Sequence, residues 1–487
     1  MARRTWLSLA LIVALTGCAQ LTPSQQLISD AAKALGGESR IRAARTLSLE
    51  GEGRNFNLGQ DMRPDAATQT FAVTGYKRVY DLGPGRMRLE QTRTPGFAYF
   101  QGPQAQRQVA GLDGDVAYNV GANGNPTRMA GQITQERKSD FYHHPLTIIR
   151  AALDPAAKLS SPQTIATEHI IEITTSSGQT VSLGIDMTGL PSRTSSTSYN
   201  ANLGDVTLTT TFGEYQDVGG LKLPAHITTK VDDFTTADLR LTKQAVDGDV
   251  GDLAAPAAAA SAALPATAAP TVSADQVAPG VWFLAGQSHH SVLVEFSDHL
   301  MLIEAPQSEA RTLAVIAKAK ETVKNKPLTQ LVTSHHHFDH TAGMRAAIAE
   351  GMTVITQSGN KDWVEAMAKR AHTLVPDELQ KKTSRLYVET VDEEKEIKDN
   401  TMTVQLFHVA GNPHTDTMLM AYIPSLRVIV EADAFSPGGP YQPYAPNLLE
   451  NIRKRNLRVD KIVPLHGTIA TFADLVKAGT PTEETKK

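Results

Sequence analysis

The sequence predicts an α+β, layered molecule with two unlike halves, a mostly antiparallel β region followed by an α/β layered domain. Three observations predict it. At 487 residues the chain exceeds what one core ordinarily holds. From Ala254 to Thr271 it uses only Ala, Pro, Ser, Thr and a single Leu, which leaves little to bury and reads as an extended linker. Period-two alternation dominates before that stretch, whereas strand-like runs alternate with amphipathic helices after it. Beyond its first residues, these features divide the chain into a β-rich domain (28–250), a linker (251–273) and a C-terminal domain (274–480).

The chain opens with Arg3-Arg4 ahead of apolar Trp6 to Leu15, too short a run to span a bilayer as a finished helix. It ends in Leu15-Thr16-Gly17-Cys18, and Cys18 is the only cysteine, so it has no intramolecular disulfide partner. These residues resemble the lipobox of bacterial lipoproteins. The resemblance implies a lipoprotein signal over 1–17 cleaved before Cys18, its lipidation, a tether over 18–27, and anchoring in the cell envelope facing the periplasm. Ala19-Gln20 supply no inner-membrane retention aspartate, so the resemblance favours the outer membrane. An ordinary cleaved signal is the alternative, and Arg3-Arg4 leaves the general and twin-arginine export routes both open.

In the β-rich region Leu27, Ala31, Ala32 and Leu35 give one helix an apolar face, and Gly36-Gly37 ends it. Alternation then marks strands at Thr46 to Glu50, Tyr76 to Tyr80 and Val206 to Phe212, punctuated by turns at Gly178, Thr188-Gly189 and Gly219-Gly220. His143 and His144, just before Pro145, read as surface loop residues. The stretches Val181 to Pro191 and Gly219 to Pro224 resemble domains related to the outer-membrane lipoprotein carriers. That likeness implies a curved sheet around a helix and a role with apolar ligands; a plain β scaffold is the other reading.

The C-terminal region reads as strands Val281 to Leu284, Ser291 to Phe296 and Leu300 to Glu304, then a helix from Ser308 to Val323. A buried strand, Leu328 to Ser334, leads to a helix from about Asp339 to Glu350. Val404 to Val409, a hairpin pair within Met418 to Val430, and Lys461 to Leu465 complete the strands. His408 reads as a core position.

The net charge of −4 comes without a long basic run, which argues against a nucleic-acid partner. The chemistry lies in His335-His336-His337-Phe338-Asp339-His340. In an extended segment side chains alternate, so His335 and His337 share a face and His336 takes the other. Asp339 and His340 fall where the helix begins and turn back over the same spot. Imidazoles with a carboxylate suit borderline divalent metals, zinc foremost.

The motif resembles the signature of the metallo-β-lactamase superfamily, His-X-His-X-Asp-His. The resemblance extends to His414 in Gly411-Asn-Pro-His-Thr-Asp416, Asp433 in Glu431-Ala-Asp-Ala-Phe435 and His466 in Val463-Pro-Leu-His-Gly467, over about residues 274–480. It implies an αβ/βα sandwich with the metals at one edge, and two divalent ions, zinc with iron or manganese as alternatives. His335, His337 and His414 would hold one, Asp339, His340 and His466 the other, with Asp433 bridging. A hydroxide shared by the ions would attack a small substrate, an ester, lactone, β-lactam or similar, while Asp339 orients it and shuttles a proton. Ser334, Ala432 and Glu304 depart from the family's usual Thr, Gly and Asp, and Glu304 would orient a ligand from behind. His289, His290, Tyr441 and Tyr444 are further candidates for contact with substrate. Two alternatives stay open: an iron-dependent oxygenase or redox member of the same fold, and a non-catalytic lipid- or lipoprotein-binding protein.

Overall fold

The computed structural model describes residues 21–97, 104–266, 268–439 and 442–480, so Cys18 and Tyr441 lie outside the described residues. The first helix, Pro23–Leu35, starts with a reciprocal cap. The Thr22 hydroxyl accepts from the Gln25 N–H, and the Gln25 side chain accepts from the Thr22 N–H. Its apolar face joins the helix Pro145–Ala152 and strand residues such as Leu47, Val181 and Leu221 in one core. Among the described residues, fourteen strands form a single antiparallel sheet around this core. Most pair with their sequence neighbours, and the first, Thr46–Phe56, pairs with the last, Phe234–Val246, in the middle of the sheet.

Two expectations for this half are corrected. His143 and His144 are buried, not on the surface. His144 caps Pro145–Ala152, its Nδ1 accepting the Leu146 N–H at 3.2 Å, and His143 sits between Thr210 Oγ1 (3.0 Å) and Ser196 Oγ (2.9 Å). Burial pushes their pKa values down to about 4 for His143 and about 3 for His144, so both rings stay neutral and serve as hydrogen-bonding core residues. The Ala/Pro stretch is also not a free extended linker. Ala257–Ala260 forms a short helix after Pro256, and Leu253 and Ala259 are buried. The Ala255 N–H donates to Asp113 (2.9 Å) and Arg128 to the Ala262 carbonyl (2.6 Å), which lays the segment along the sheet. A run of alanines behind a proline is a good helix start, and this outweighs the lack of side chain to bury.

The C-terminal half holds a seven-stranded and a six-stranded sheet among the described residues. Their facing sides share a core, Met301 and Ile303 from one with Val404 and Val430 from the other. Pleating sends the alternate residues outward. Leu300 and Leu302 meet the helix Glu309–Thr322, and Ile429 meets the helices Ala445–Lys454 and Phe472–Gly479. The result is the αβ/βα layering expected. Because both faces of these strands are covered, Leu300–Ile303 is apolar throughout, as is Val428–Glu431 up to its last residue.

The helix expected from Asp339 to Glu350 is two, Phe338–Thr341 and Met344–Ala349. At the break the Gly343 N–H donates to the Ala305 carbonyl (3.0 Å), and a Cβ on Gly343 would lie 1.8 Å from Thr312 Oγ1. The close approach of Glu309–Thr322 therefore requires glycine here. Gly343→Ala is expected to destabilise the fold by about 1–3 kcal/mol through overpacking, read as a lowered denaturant midpoint with an unchanged slope.

The halves are in direct contact. Leu58, Leu203, Val206 and Val231 from the N-terminal half share a hydrophobic cluster with Val364 and Met367. Asp205 accepts from the Thr373 and Leu374 N–H groups at 2.8 and 3.0 Å, and Arg370 pairs with Asp232.

Candidate metal centre

The site forms where strands of the two facing sheets end. The strand Leu328–Val332 delivers residues 333–340, and its parallel neighbour Leu300–Ile303 delivers Glu304. In the other sheet Val428–Glu431 delivers Asp433 and its parallel neighbour Lys461–Pro464 delivers His466. His414 stands in the loop between Thr403–His408 and Leu419–Ile423. Glu304 and Asp433 have φ of 79° and 57°, a left-handed backbone that costs a non-glycine residue about 1–3 kcal/mol.

The donors fall into two adjacent groups. One is His335, His337, His414 and Asp433, the other His289, Asp339, His340 and His466; within each group the donor atoms lie within 4.8 Å of one another. Asp433 touches both. Its Oδ2 is 3.3 Å from His335 Nε2, 3.0 Å from His414 Nε2 and 2.9 Å from His340 Nε2, and its Oδ1 is 2.9 Å from His466 Nε2. His337 Nε2 is satisfied by the Asp61 carbonyl at 2.9 Å, while its Nδ1 is buried and meets no hydrogen-bond partner. A buried orphan nitrogen is costly unless something occupies its lone pair, and a cation within this donor set would do so. The residues present therefore fit divalent metal.

Glu304 is fully buried and holds the cluster from behind. It accepts from the Ser334 hydroxyl and from His340 Nδ1 (2.9 Å), which aims His340 Nε2 into the site. Arg311, also fully buried, donates to the carbonyls of Thr271 (3.1 Å), Leu284 and His289 (both 3.3 Å) and so pins the turn carrying His289. His336 faces away, its Nδ1 3.2 Å from Thr417 Oγ1 and its ring edge-on to Trp363.

Burial drives the pKa of His335 and His337 well below the ordinary value, keeping both rings neutral. Asp433 is buried too, but the His340, His466 and His414 rings outweigh that and hold it anionic. Burial also opposes charge on His340, yet the Asp433 and Asp339 carboxylates raise its pKa well above 6.5. In metal-free protein the His340 proton contributes stability that is complete below about pH 6.5 and is lost as pH rises through the raised value. A cation can take His340 only when that proton leaves. Cation binding is expected to tighten with rising pH near neutrality and to release about one proton. Calorimetry in two buffers of different ionisation enthalpy measures this; proton-free binding would contradict it.

The structure brings His335, His337, Asp339, His340, His414, Asp433 and His466 together. It adds His289, which sequence reasoning offered only as a substrate contact; its ring lies 3.9 Å from that of His466 and its Nε2 3.3 Å from Asp339. His290 joins neither group. It packs on Phe283 (4.7 Å) and accepts the Gly286 N–H. Tyr444 is buried with its ring 5.2 Å from His414, so it flanks the site. His408, expected in the core, is part-exposed and donates through Nε2 to the Asp416 carbonyl at 2.7 Å. Sequence reasoning missed Gln60 and Asp61 altogether. Gln60 Nε2 donates to Asp339 Oδ1 at 2.8 Å from a loop of the N-terminal half.

Residues 285–466 match the family model described as the metallo-beta-lactamase superfamily. Similar solved structures include the DIM-1 metallo-beta-lactamase, 15% identical, covering 43% of this chain and 96% of that one at a TM-score of 0.35. A metallo-beta-lactamase from Pontibacter korlensis is also 15% identical and covers 43% and 97% at 0.34. FIM-1 from Pseudomonas aeruginosa, described in a mono-zinc form, is 16% identical and covers 43% and 93% at 0.34.

Proposed function

We propose that this chain, whose residues 285–466 carry a metallo-β-lactamase-superfamily domain, is a hydrolase that uses two divalent metal ions, zinc foremost. The observation that carries the reading is the pair of adjacent donor groups joined through Asp433. His335, His337 and His414 would hold one ion, Asp339, His340 and His466 the other, with His289 beside the second. Bound there, such ions supply Lewis acidity, which acidifies water and polarises a substrate oxygen.

The chain's own residues do the rest. Asp339 is held anionic: burial works against its charge, but the His289 hydrogen bond and the His340 ring outweigh it. Its side chain is 41% exposed, so it can orient water and accept a proton. His289 and Gln60 fix its two oxygens. Tyr444 packs against the His414 ring. A small ester, lactone, β-lactam or similar activated substrate suits this arrangement. A hydrolysis panel across those classes, run on metal-replete protein with elemental analysis alongside, tests the reading. Absence of turnover in a protein holding two ions would refute it.

The anchor is part of the proposal. Lipidation of Cys18 would fix the enzyme to the envelope, facing the periplasm. Wild-type protein is expected in the membrane fraction, with Cys18→Ser soluble or unprocessed. Recovery of the wild type wholly in the soluble periplasmic fraction would remove the anchor from the proposal.

A further inference from the structure

The loop between the strands Thr46–Phe56 and Thr70–Asp81 leaves the N-terminal sheet and runs along the candidate metal centre. At Gly59 the carbonyl accepts the Phe338 N–H at 3.1 Å. The next residue, Gln60, donates from its carboxamide to Asp339 Oδ1 at 2.8 Å. The Asp61 carbonyl then accepts from His337 Nε2 at 2.9 Å. Met62 reaches the opposite wall, where its carbonyl accepts from the Asp416 N–H (2.8 Å) and the Thr415 hydroxyl (3.0 Å), beside His414. In four consecutive residues the loop thus touches the segments carrying His337, Asp339 and His414.

We propose that residues 59–62 are a strap that positions the ligands of both metal ions, with Gln60 and the Asp61 carbonyl as its positioning groups. The inference rests on the metal reading given above. Its physical content is specific. A carbonyl accepting at Nε2 fixes the His337 tautomer with the proton on Nε2, which leaves the Nδ1 lone pair free to face a cation. That is the nitrogen that is buried without a hydrogen-bond partner. The Gln60 amide occupies one oxygen of Asp339 and turns the other toward His289 and the second donor group. Neither job can be done by the C-terminal half, which supplies no other hydrogen bond to His337 Nε2 or to Asp339 Oδ1 among those described.

Gly59 shows how tightly the strap is seated. Its φ is +78°, and a Cβ there would lie 2.3 Å from Cγ of the Phe338 ring. Any side chain at 59 is strained and pushes the loop away from Phe338. Asn202 supports the same segment from the far side, donating to the Phe338 carbonyl (3.2 Å) and to Thr341 Oγ1 (3.1 Å). The strap therefore assigns the N-terminal half a part in the site beyond that of a tether or a separate binding module.

The test is a cobalt(II) titration of chelator-treated full-length protein, followed by the visible absorption of the bound ion. Gln60→Leu keeps the bulk and removes the donor. It is expected to retain the fold by circular dichroism yet bind one of two cobalt equivalents about 10–100-fold more weakly, with a shifted visible band. Gly59→Val is expected to weaken both equivalents. Asp65→Ala, on the same loop but exposed and paired only with Arg63, is expected to titrate like wild type. A merely structural loop would change the melting temperature and leave the cobalt spectrum alone. Wild-type affinity and spectrum in folded Gln60→Leu would overturn the strap while leaving the metal reading intact. A wild type that binds no cobalt would overturn both. If Gly59→Val does not fold, Gln60→Leu decides alone.

Discussion

His337→Ala is expected to lose at least one equivalent of metal and more than about 100-fold in turnover, because even the partners of metal ligands cost about 10–100-fold when removed. The substitution takes away the buried Nδ1 around which the first donor group is arranged. His336→Ala is the matched control, one residue away and equally buried. Its ring serves Thr417 and Trp363, so its loss should cost about 1–3 kcal/mol of stability but leave metal content and turnover within about threefold. Elemental analysis, turnover and a thermal melt on the two variants separate the effects. Equal metal loss in both would mean that the segment is not extended where the structure places it.

Asp433→Asn is expected to have the second large effect. Asn is the right probe because it tolerates the left-handed backbone at this position, where Ala would add strain to the loss of chemistry. The variant keeps the shape of the side chain and removes the charge that sits within 3.3 Å of four imidazoles. Without a carboxylate between them, two cations would repel each other across a short gap with nothing to offset it. Metal content should therefore fall from two equivalents toward one, and turnover by more than about 100-fold. Retention of two equivalents in this variant would show that Asp433 does not join the two donor groups.

Much of this centre could be read from the sequence because its densest part is local. His335, His337, Asp339 and His340 fall within six positions, and strand alternation followed by a helix start sets their directions without knowledge of the rest of the fold. The distant members, His414, Asp433 and His466, have no such local pattern and came from a resemblance between motifs. His289 fell between these cases. It lies in a turn whose direction depends on the buried Arg311 and on a bridge to His466, neither visible in the turn's own residues. Gln60 and Asp61 were illegible for a stronger reason. They sit in a polar loop with no motif, 279 and 276 positions away from the residues they hold, and only the docking of the two halves brings them there. The misreading of His143 and His144 is of the same kind. A His-His-Pro sequence looks like an exposed loop until Thr210 and Ser196 arrive from other strands to satisfy it.

The strap hangs from Thr46–Phe56, and that strand is half of the central seam where the two runs of hairpins in the large sheet meet, paired with Phe234–Val246. The seam joins residues about as far apart in sequence as this half of the chain allows, so it forms late, after the local hairpins on either side. Until it forms, residues 59–62 are held against His337 and Asp339 only by their own few hydrogen bonds. During refolding the ability to retain metal should thus lag behind the return of β structure. A damaged seam, though it holds none of the ligands, would be felt first as leakage of metal and only afterwards as unfolding.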